Sequence, residues 1–282
     1  MSNRVLVLGA TGTLGKPVVR SLAERGHAVC VTARSAEKAR QIFGDTVEVL
    51  QGDSTDREHL RKALVGCEAV HVSLPTEAEL IAVRHVIDLT SSEGLQRISY
   101  VSGTSAREEN RWFEIIDVKL KAEALLRSSG IPCTIFCPTW VMEVLPNFFK
   151  GDRAVVIVGK NPPGFHFFAA ADFGRMVANS YADGRALGRR LFIHGPESIT
   201  LPQALRTYHA ACHPQLKVTQ LKLFQARLVA KITRQKRMES VTRLIAYFDK
   251  TEEGGDPSEA DSLLGAPSTT LGEWMRIQKR QS

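Results

Sequence analysis

Residues 5–22 constrain the fold more than any other stretch of the chain. An apolar run at 5–8 leads straight into Gly9-Ala-Thr-Gly12-Thr-Leu-Gly15, and apolar positions then repeat at helical spacing through Val18, Val19 and Leu22. A strand that turns sharply into a helix needs a residue without a side chain at the turn, which Gly9 supplies. Gly12 leaves the backbone open to close approach by a pyrophosphate, and Gly15 lets the helix lie near the strand. The helix N-terminus presents unpaired N–H groups to an anion. Glycines alone carry little; their place between a strand and a helix gives them meaning.

The same alternation continues. Strand-like runs recur at 28–32, 47–51, 69–73, 98–102 and 133–137, with helix-like patterns at 15–25, 36–43, 56–65, 77–93 and 117–129. Such βαβ units stack into a parallel sheet with helices on both faces, joined by right-handed crossovers. The expected fold is α/β: a Rossmann-type doubly wound parallel sheet over residues 1–150. A smaller C-terminal α/β lobe, 151–282, is expected to pack on it over the sheet's C-terminal edge. After Pro138 the rhythm breaks. Short strands are expected at 155–158 and 191–193. Asp172 reads as the acidic N-cap of a helix starting at Phe173, and Thr200 as the cap of one with Pro202 in its first turn. Leu221, Phe224, Leu228 and Ile232 predict an amphipathic helix over 217–233. Thr269 or Thr270 caps a short helix within 268–279.

Composition narrows the class. The chain has 282 residues, 43% of them hydrophobic, and no apolar run long enough for a membrane span. The N-terminus enters a strand almost at once, leaving no room for a signal peptide. The five cysteines are odd in number and scattered, and Cys133 and Cys137 lack the spacing of a zinc site. The expectation is a reduced, cytoplasmic protein without a metal. Net charge is +7, and residues 206–243 hold nine Lys and Arg against one acid, Glu239. Only Tyr208 and Phe224 interleave with these charges, too few for a base-stacking platform. The expected reading is a solvated face, with neither nucleic acid nor membrane as partner.

The second strand ends at Arg34 and Ser35 with no carboxylate near it. A carboxylate there would accept from the ribose 2′-OH of NAD, whereas Arg and Ser suit a 2′-phosphate. NADP(H) is therefore expected over NAD(H). Asp53, followed by Ser54, ends the third strand and is placed to accept from an adenine amino group.

At this point the chain resembles the NmrA-like branch of the atypical short-chain dehydrogenase/reductase superfamily. The segments that carry the resemblance are 9–15, Gly52-Asp53, 72–75, 100–104, 119–123, 129–134, 138–140 and 171–174. The expected cofactor set is Gly9, Thr11, Gly12, Thr13, Leu14, Gly15, Arg34, Ser35, Asp53 and Ser54, and the resemblance extends it. It implies Ser73, Leu74 and Pro75 along the pyrophosphate and nicotinamide ribose, and Ser102 beside the nicotinamide. Lys119 would hold the ribose, and Pro138, Thr139 and Trp140 would border the nicotinamide and substrate.

One departure limits the chemistry. Active relatives in the wider superfamily pair a tyrosine with a lysine four residues later; here that position is Ile115, which transfers no proton. Three routes stay open. Lys119 acts as general acid or base, which needs burial or a neighbouring cation to lower its pKa. The acceptor needs no positioned acid, as for a quinone, imine or enone. Or the protein binds NADP(H) without turnover, as a redox-sensing regulator. Thr104 falls where the superfamily places its substrate-orienting hydroxyl. His166 is a further candidate proton donor, and Trp140, Phe148 and Phe149 a candidate apolar substrate wall. The reading that follows is an NADP(H)-binding oxidoreductase acting on a small-molecule substrate, with a homodimer left open and a non-catalytic regulator as the alternative.

Overall fold

A computed structural model of the chain describes residues 4–90, 94–149, 153–234 and 236–281. Its strands are β1 (Arg4–Leu8), β2 (Ala28–Ala33), β3 (Glu48–Gln51), β4 (Ala69–Val72), β5 (Arg97–Val101), β6 (Cys133–Pro138), β7 (Arg153–Val158), β8 (Gly164–Phe167), β9 (Arg190–Ile193), β10 (Glu197–Thr200) and β11 (Lys217–Lys222). Its α-helices are α1 (Gly15–Glu24), α2 (Ala36–Phe43), α3 (Arg57–Leu64), α4 (Thr76–Thr90), α5 (Glu114–Ser128), α6 (Ala170–Ala182), α7 (Leu201–Cys212), α8 (Leu223–Thr233), α9 (Lys236–Phe248), α10 (Ser258–Leu264) and α11 (Leu271–Gln281). The helix expected over 77–93 is α4; residues 91–93 lie outside the described ones.

The chain divides into two compact units that interleave in sequence. The first holds 1–138, 170–193 and 255–267, the second 139–169, 194–254 and 268–282. The expected division at 150/151 falls on residues outside the described ones. A sequence cut assigns each residue by position, whereas α6, β9 and α10 join the first unit by packing.

The first unit carries a seven-stranded sheet in the order β3-β2-β1-β4-β5-β6-β9, every pair parallel. This is the doubly wound order expected from the βα alternation, with one strand added. Strand β9 lies beside β6 with Ile135 opposite Arg190, so a short run assigned to the second half completes the first sheet. The central strands are buried on both faces, as parallel sheets are. Leu6, Leu8, Val70, Val72, Ile98 and Tyr100 form the middle of their core. The motif at 171–174 acquires a packing reason: a Cβ on Gly174 would stand 2.5 Å from the Pro17 carbonyl oxygen, so only glycine lets α6 lie against α1. Asp172 is not the cap of this helix. The helix starts at Ala170, and Asp172 sits inside its first turn, where it accepts from Arg175 at 3.2 Å.

The second unit is built from two two-stranded sheets, β8 with β10 and β7 with β11, and the helices around them. Leu145, Phe165, Phe167, Tyr208 and Trp274 are among its core. Thr200 caps α7 in a capping box with Gln203, as its sequence indicates. Thr270 rather than Thr269 caps α11, exchanging bonds with Glu273. The helix expected over 217–233 is a strand and a helix. Residues 217–222 pair with β7 as β11, and only 223–233 are helical. The 3.6-residue repeat of its large apolar residues extends just one position, Leu221, into the β11 segment, too little to overrule pairing with β7. No helix among the described residues is long and apolar enough to cross a membrane.

Candidate functional site

The loops at the C-terminal ends of β1 to β4 enclose a cavity of about 900 Å³ in the first unit. It lies where the strand order reverses between β1 and β4, the place at which open parallel sheets bind ligands. Eleven expected residues line it: Gly9, Thr11, Gly12, Thr13, Leu14, Arg34, Asp53, Ser54, Ser73, Leu74 and Pro75. The lining also includes Gly52, from the Gly52-Asp53 segment, and Thr32, Thr55, Glu77, Ala78 and Ile81, which the sequence did not single out.

The glycine loop is built for close approach. Gly9 has φ +81°, and a Cβ there would stand 2.0 Å from the Ser73 carbonyl oxygen. A Cβ on Gly15 would stand 2.2 Å from the Gly9 oxygen. Gly15 therefore acts on the packing of α1 and does not line the cavity. The Gly12 N–H bonds back to the Gly9 carbonyl at 3.0 Å, closing the turn. Among the described residues nothing accepts from the N–H groups of Thr13 and Leu14, which precede α1. Free N–H donors at a helix N-terminus, beside a surface with no Cβ, fit a diphosphate. A dinucleotide is what this cradle accommodates.

Around the rim, Arg34 is exposed, and no carboxylate among the described residues pairs with its guanidinium. Asp53 accepts from the Thr55 N–H and hydroxyl, both at 2.8 Å. Those bonds, with Arg34 nearby, hold its carboxyl below the usual carboxylate range. Ser35 caps α2, its Oγ accepting from Lys38 N–H at 3.3 Å, and stands outside the cavity lining.

Ser102, Thr104, Lys119 and Pro138 stand outside the lining as well. Lys119 Nζ donates to Glu79 Oε2 at 2.8 Å and to the Val101 carbonyl at 2.7 Å. The Tyr100 hydroxyl donates to the other Glu79 oxygen. Burial pushes the Glu79 carboxyl up, against the pull of Lys119. The neighbour of Lys119 is thus a carboxyl group and not a cation. Ile115 is 37% exposed and lies on α5, four residues before Lys119. Ser102 gives its hydroxyl to Glu123, which also takes Arg190 at 3.0 Å and Arg127 at 3.1 Å. Thr104 is buried, with its N–H on the Pro138 carbonyl at 3.1 Å. Cys137 is buried and its thiol is pushed up to about 12, so it is inert.

Glu79 was missed from the sequence, yet a signal exists. It occupies the apolar stripe of α4 with Ala82, Val83, Val86 and Leu89, where a carboxylate needs a partner. Which partner, forty residues away, no local pattern tells.

In the second unit, Thr139 and Trp140 have other engagements. Trp140 packs against Phe248 at 4.7 Å between ring centroids, and against Phe165 and Phe167. Phe149 is buried on Tyr208 at 5.3 Å, and Phe148 is half-buried at the edge of the same core. The Thr139 hydroxyl donates to Glu253. Glu253 also accepts from the His166 backbone N–H at 2.7 Å and pairs with His166 Nδ1 at 2.6 Å. His194 stacks on the His166 ring at 5.3 Å and 12°. His166, His194 and Glu253 bring ligand-type atoms within 4.8 Å of one another. Within that group His166 and Glu253 form a hydrogen-bonded pair, and His194 Nε2 lies 3.3 Å from the Gly254 carbonyl.

Comparison with known proteins agrees with the cradle. A family model described as NAD(P)H-binding matches residues 9–171. A reductase of Streptomyces griseus, (4-alkanoyl-5-oxo-2,5-dihydrofuran-3-yl)methyl phosphate reductase, is 29% identical over 202 residues, 70% of this chain and 69% of that one. The photosystem II assembly factor Ycf39 of Cyanophora paradoxa is 28% identical over 156 residues, 52% of this chain. The match spans about half the length of that relative, 46%. Among solved structures, the NADPH-dependent quinone oxidoreductase QOR2 of Escherichia coli in complex with NADPH superposes with a TM-score of 0.77. It is 23% identical and the match covers 98% of this chain and 99% of that one, a likeness of fold.

Proposed function

The chain belongs to the NAD(P)H-binding family, and from that premise we propose that it is an NADP(H)-dependent oxidoreductase that reduces a small apolar acceptor of the quinone, imine or enone type. The observation that carries the cofactor choice is Arg34, exposed on the rim of the cavity with its guanidinium unpaired and no acidic residue at the end of β2. A planar fork of N–H donors suits the 2′-phosphate of NADP(H), and a carboxylate at the end of β2, where it would accept from a ribose 2′-OH, would repel that phosphate. When bound, the nicotinamide supplies a hydride. The chain's own work is to hold the diphosphate on the N–H groups after Gly12 and the 2′-phosphate on Arg34.

The acceptor class rests on what the first unit lacks among its described residues. Ile115 replaces the usual phenol, and Lys119 spends two of its donors on Glu79 and Val101. An acceptor that takes a hydride without a positioned protein acid meets that constraint. The same two residues favour the second reading, a non-catalytic NADP(H)-binding regulator.

Cofactor titration tests the first part. Removing a charge-assisted contact of this kind costs roughly 1.5–3 kcal/mol, about 10- to 100-fold in affinity. Arg34→Ala is expected to lose that factor for NADPH and nothing for NADH; equal effects on both refute the assignment. NADPH oxidation against a panel of quinones, iminium ions, enones and aldehydes separates the two readings. Turnover of an acceptor supports the enzyme, and tight binding without any turnover supports the regulator.

A further inference from the structure

Helix α8 is amphipathic in the reverse sense. Its small residues Ala226 and Ala230 are fully buried, while Phe224, Leu228 and Ile232 are 66%, 58% and 72% exposed. At about 100° per residue, these three large side chains fall in one arc about 80° wide, almost opposite the two alanines. Val229, 37% exposed, borders the arc on one flank. Lys231 and Arg227, both exposed, border it on the other. From 217 to 234 the chain has five cations and no acid. Burying the alanines and presenting Phe, Leu and Ile to water is the opposite of what packing against the protein's own core favours.

We propose that this face of α8 is a docking surface for an anionic bilayer, lying in the headgroup layer with Phe224, Leu228 and Ile232 turned toward the acyl chains. Three observations select that occupant. The row is apolar, so a nucleic-acid backbone would satisfy its cations and leave Leu228 and Ile232 without a partner. The face is the convex side of one helix, and a bilayer needs no matching groove. A second copy of this chain, meeting α8 with an antiparallel α8, would bring Arg227 and Lys231 against their own equivalents, and like charges at that contact repel. Anionic headgroups over a hydrocarbon interior supply both halves of the pattern at once. Charge alone, read from the sequence, supports no such surface; the exposed apolar row is what the structure adds.

Flotation of the full chain with phosphatidylcholine vesicles, with and without phosphatidylglycerol, tests this. Binding is expected only to the anionic vesicles and to weaken with salt. Arg227→Gln with Lys231→Gln removes two cations worth about fivefold each, about 30-fold together. Phe224→Ser, Leu228→Ser and Ile232→Ser together are expected to abolish flotation. All five positions are exposed, so thermal melts of both variants should match the parent. Absence of flotation with anionic vesicles at low salt overturns the proposal, as does equal flotation of the variants. Sedimentation velocity at the same concentrations adds the remaining outcome. A dimer abolished by the three serines, in a chain that does not float, assigns the face to a second copy and overturns the bilayer.

Discussion

Acidification should unfold this protein partly through one residue, His71. It lies on β4 in the middle of the sheet, fully buried, with Nδ1 2.8 Å from Ser99 Oγ and Nε2 without a partner among the described residues. Burial pushes its pKa down from 6.5 to about 3. Charging the ring would place a second N–H where nothing accepts it. Between those two values the unfolded chain takes up a proton that the folded chain refuses. Stability from this group is therefore complete above pH 6.5 and is lost progressively as the pH falls toward 3. At about pH 4.5 the loss amounts to two pH units of linkage, or about 3 kcal/mol. Substituting His71→Asn keeps a polar group near Ser99 and removes the titration. Urea unfolding of parent and variant at about pH 7.5 and about pH 4.5 gives the two pH dependences. The variant starts less stable but should lose about 3 kcal/mol less on acidification than the parent. An equal loss in both proteins, to within about 1 kcal/mol, refutes the burial argument, whatever the variant's stability at neutral pH.

Two further outcomes are expected. Gly9→Ala forces a Cβ to within 2.0 Å of the Ser73 oxygen at φ +81°, and backbone strain of this kind costs about 1–3 kcal/mol. A lowered melting temperature together with weakened NADPH binding is expected, and unchanged values for both would refute the close-approach argument. Glu79→Leu strips Lys119 and the Tyr100 hydroxyl of their shared partner, and breaking a buried ion pair costs about 3 kcal/mol. Chemical denaturation reads that cost; a neutral effect would mean that Lys119 reaches solvent and needs no carboxylate.

The sequence by itself determined whatever local spacing encodes. Gly9, Gly12 and Gly15 after an apolar strand specify a turn that few other residues can make, and the φ of Gly9 bears that reason out. The βα alternation specifies a parallel doubly wound sheet, because a helix between two strands carries the chain back to start the next strand in the same direction, with a right-handed crossover. The cap Thr200 is legible because a cap acts within four residues of itself, and the second cap was narrowed to Thr269 or Thr270 on the same ground. The resemblance in motif order carried the family reading, and the matched family model agrees with it.

Tertiary structure alone decided the rest, because those contacts join residues far apart in the chain. Strand β9 is four residues long and could lie against many edges; only the free side of β6 places it. Lys119 looks like a ribose ligand from its motif, yet Glu79 on a different helix sets its bonds. Thr139 and Trp140 fall in a segment expected beside the cofactor, while Glu253 and Phe248 engage them in the second unit. The apolar repeat of α8 reads as a buried stripe, but helical periodicity shows only that residues share a face. Whether that face meets core or water depends on what packs beside it, and here Ala226 and Ala230 take the inner position.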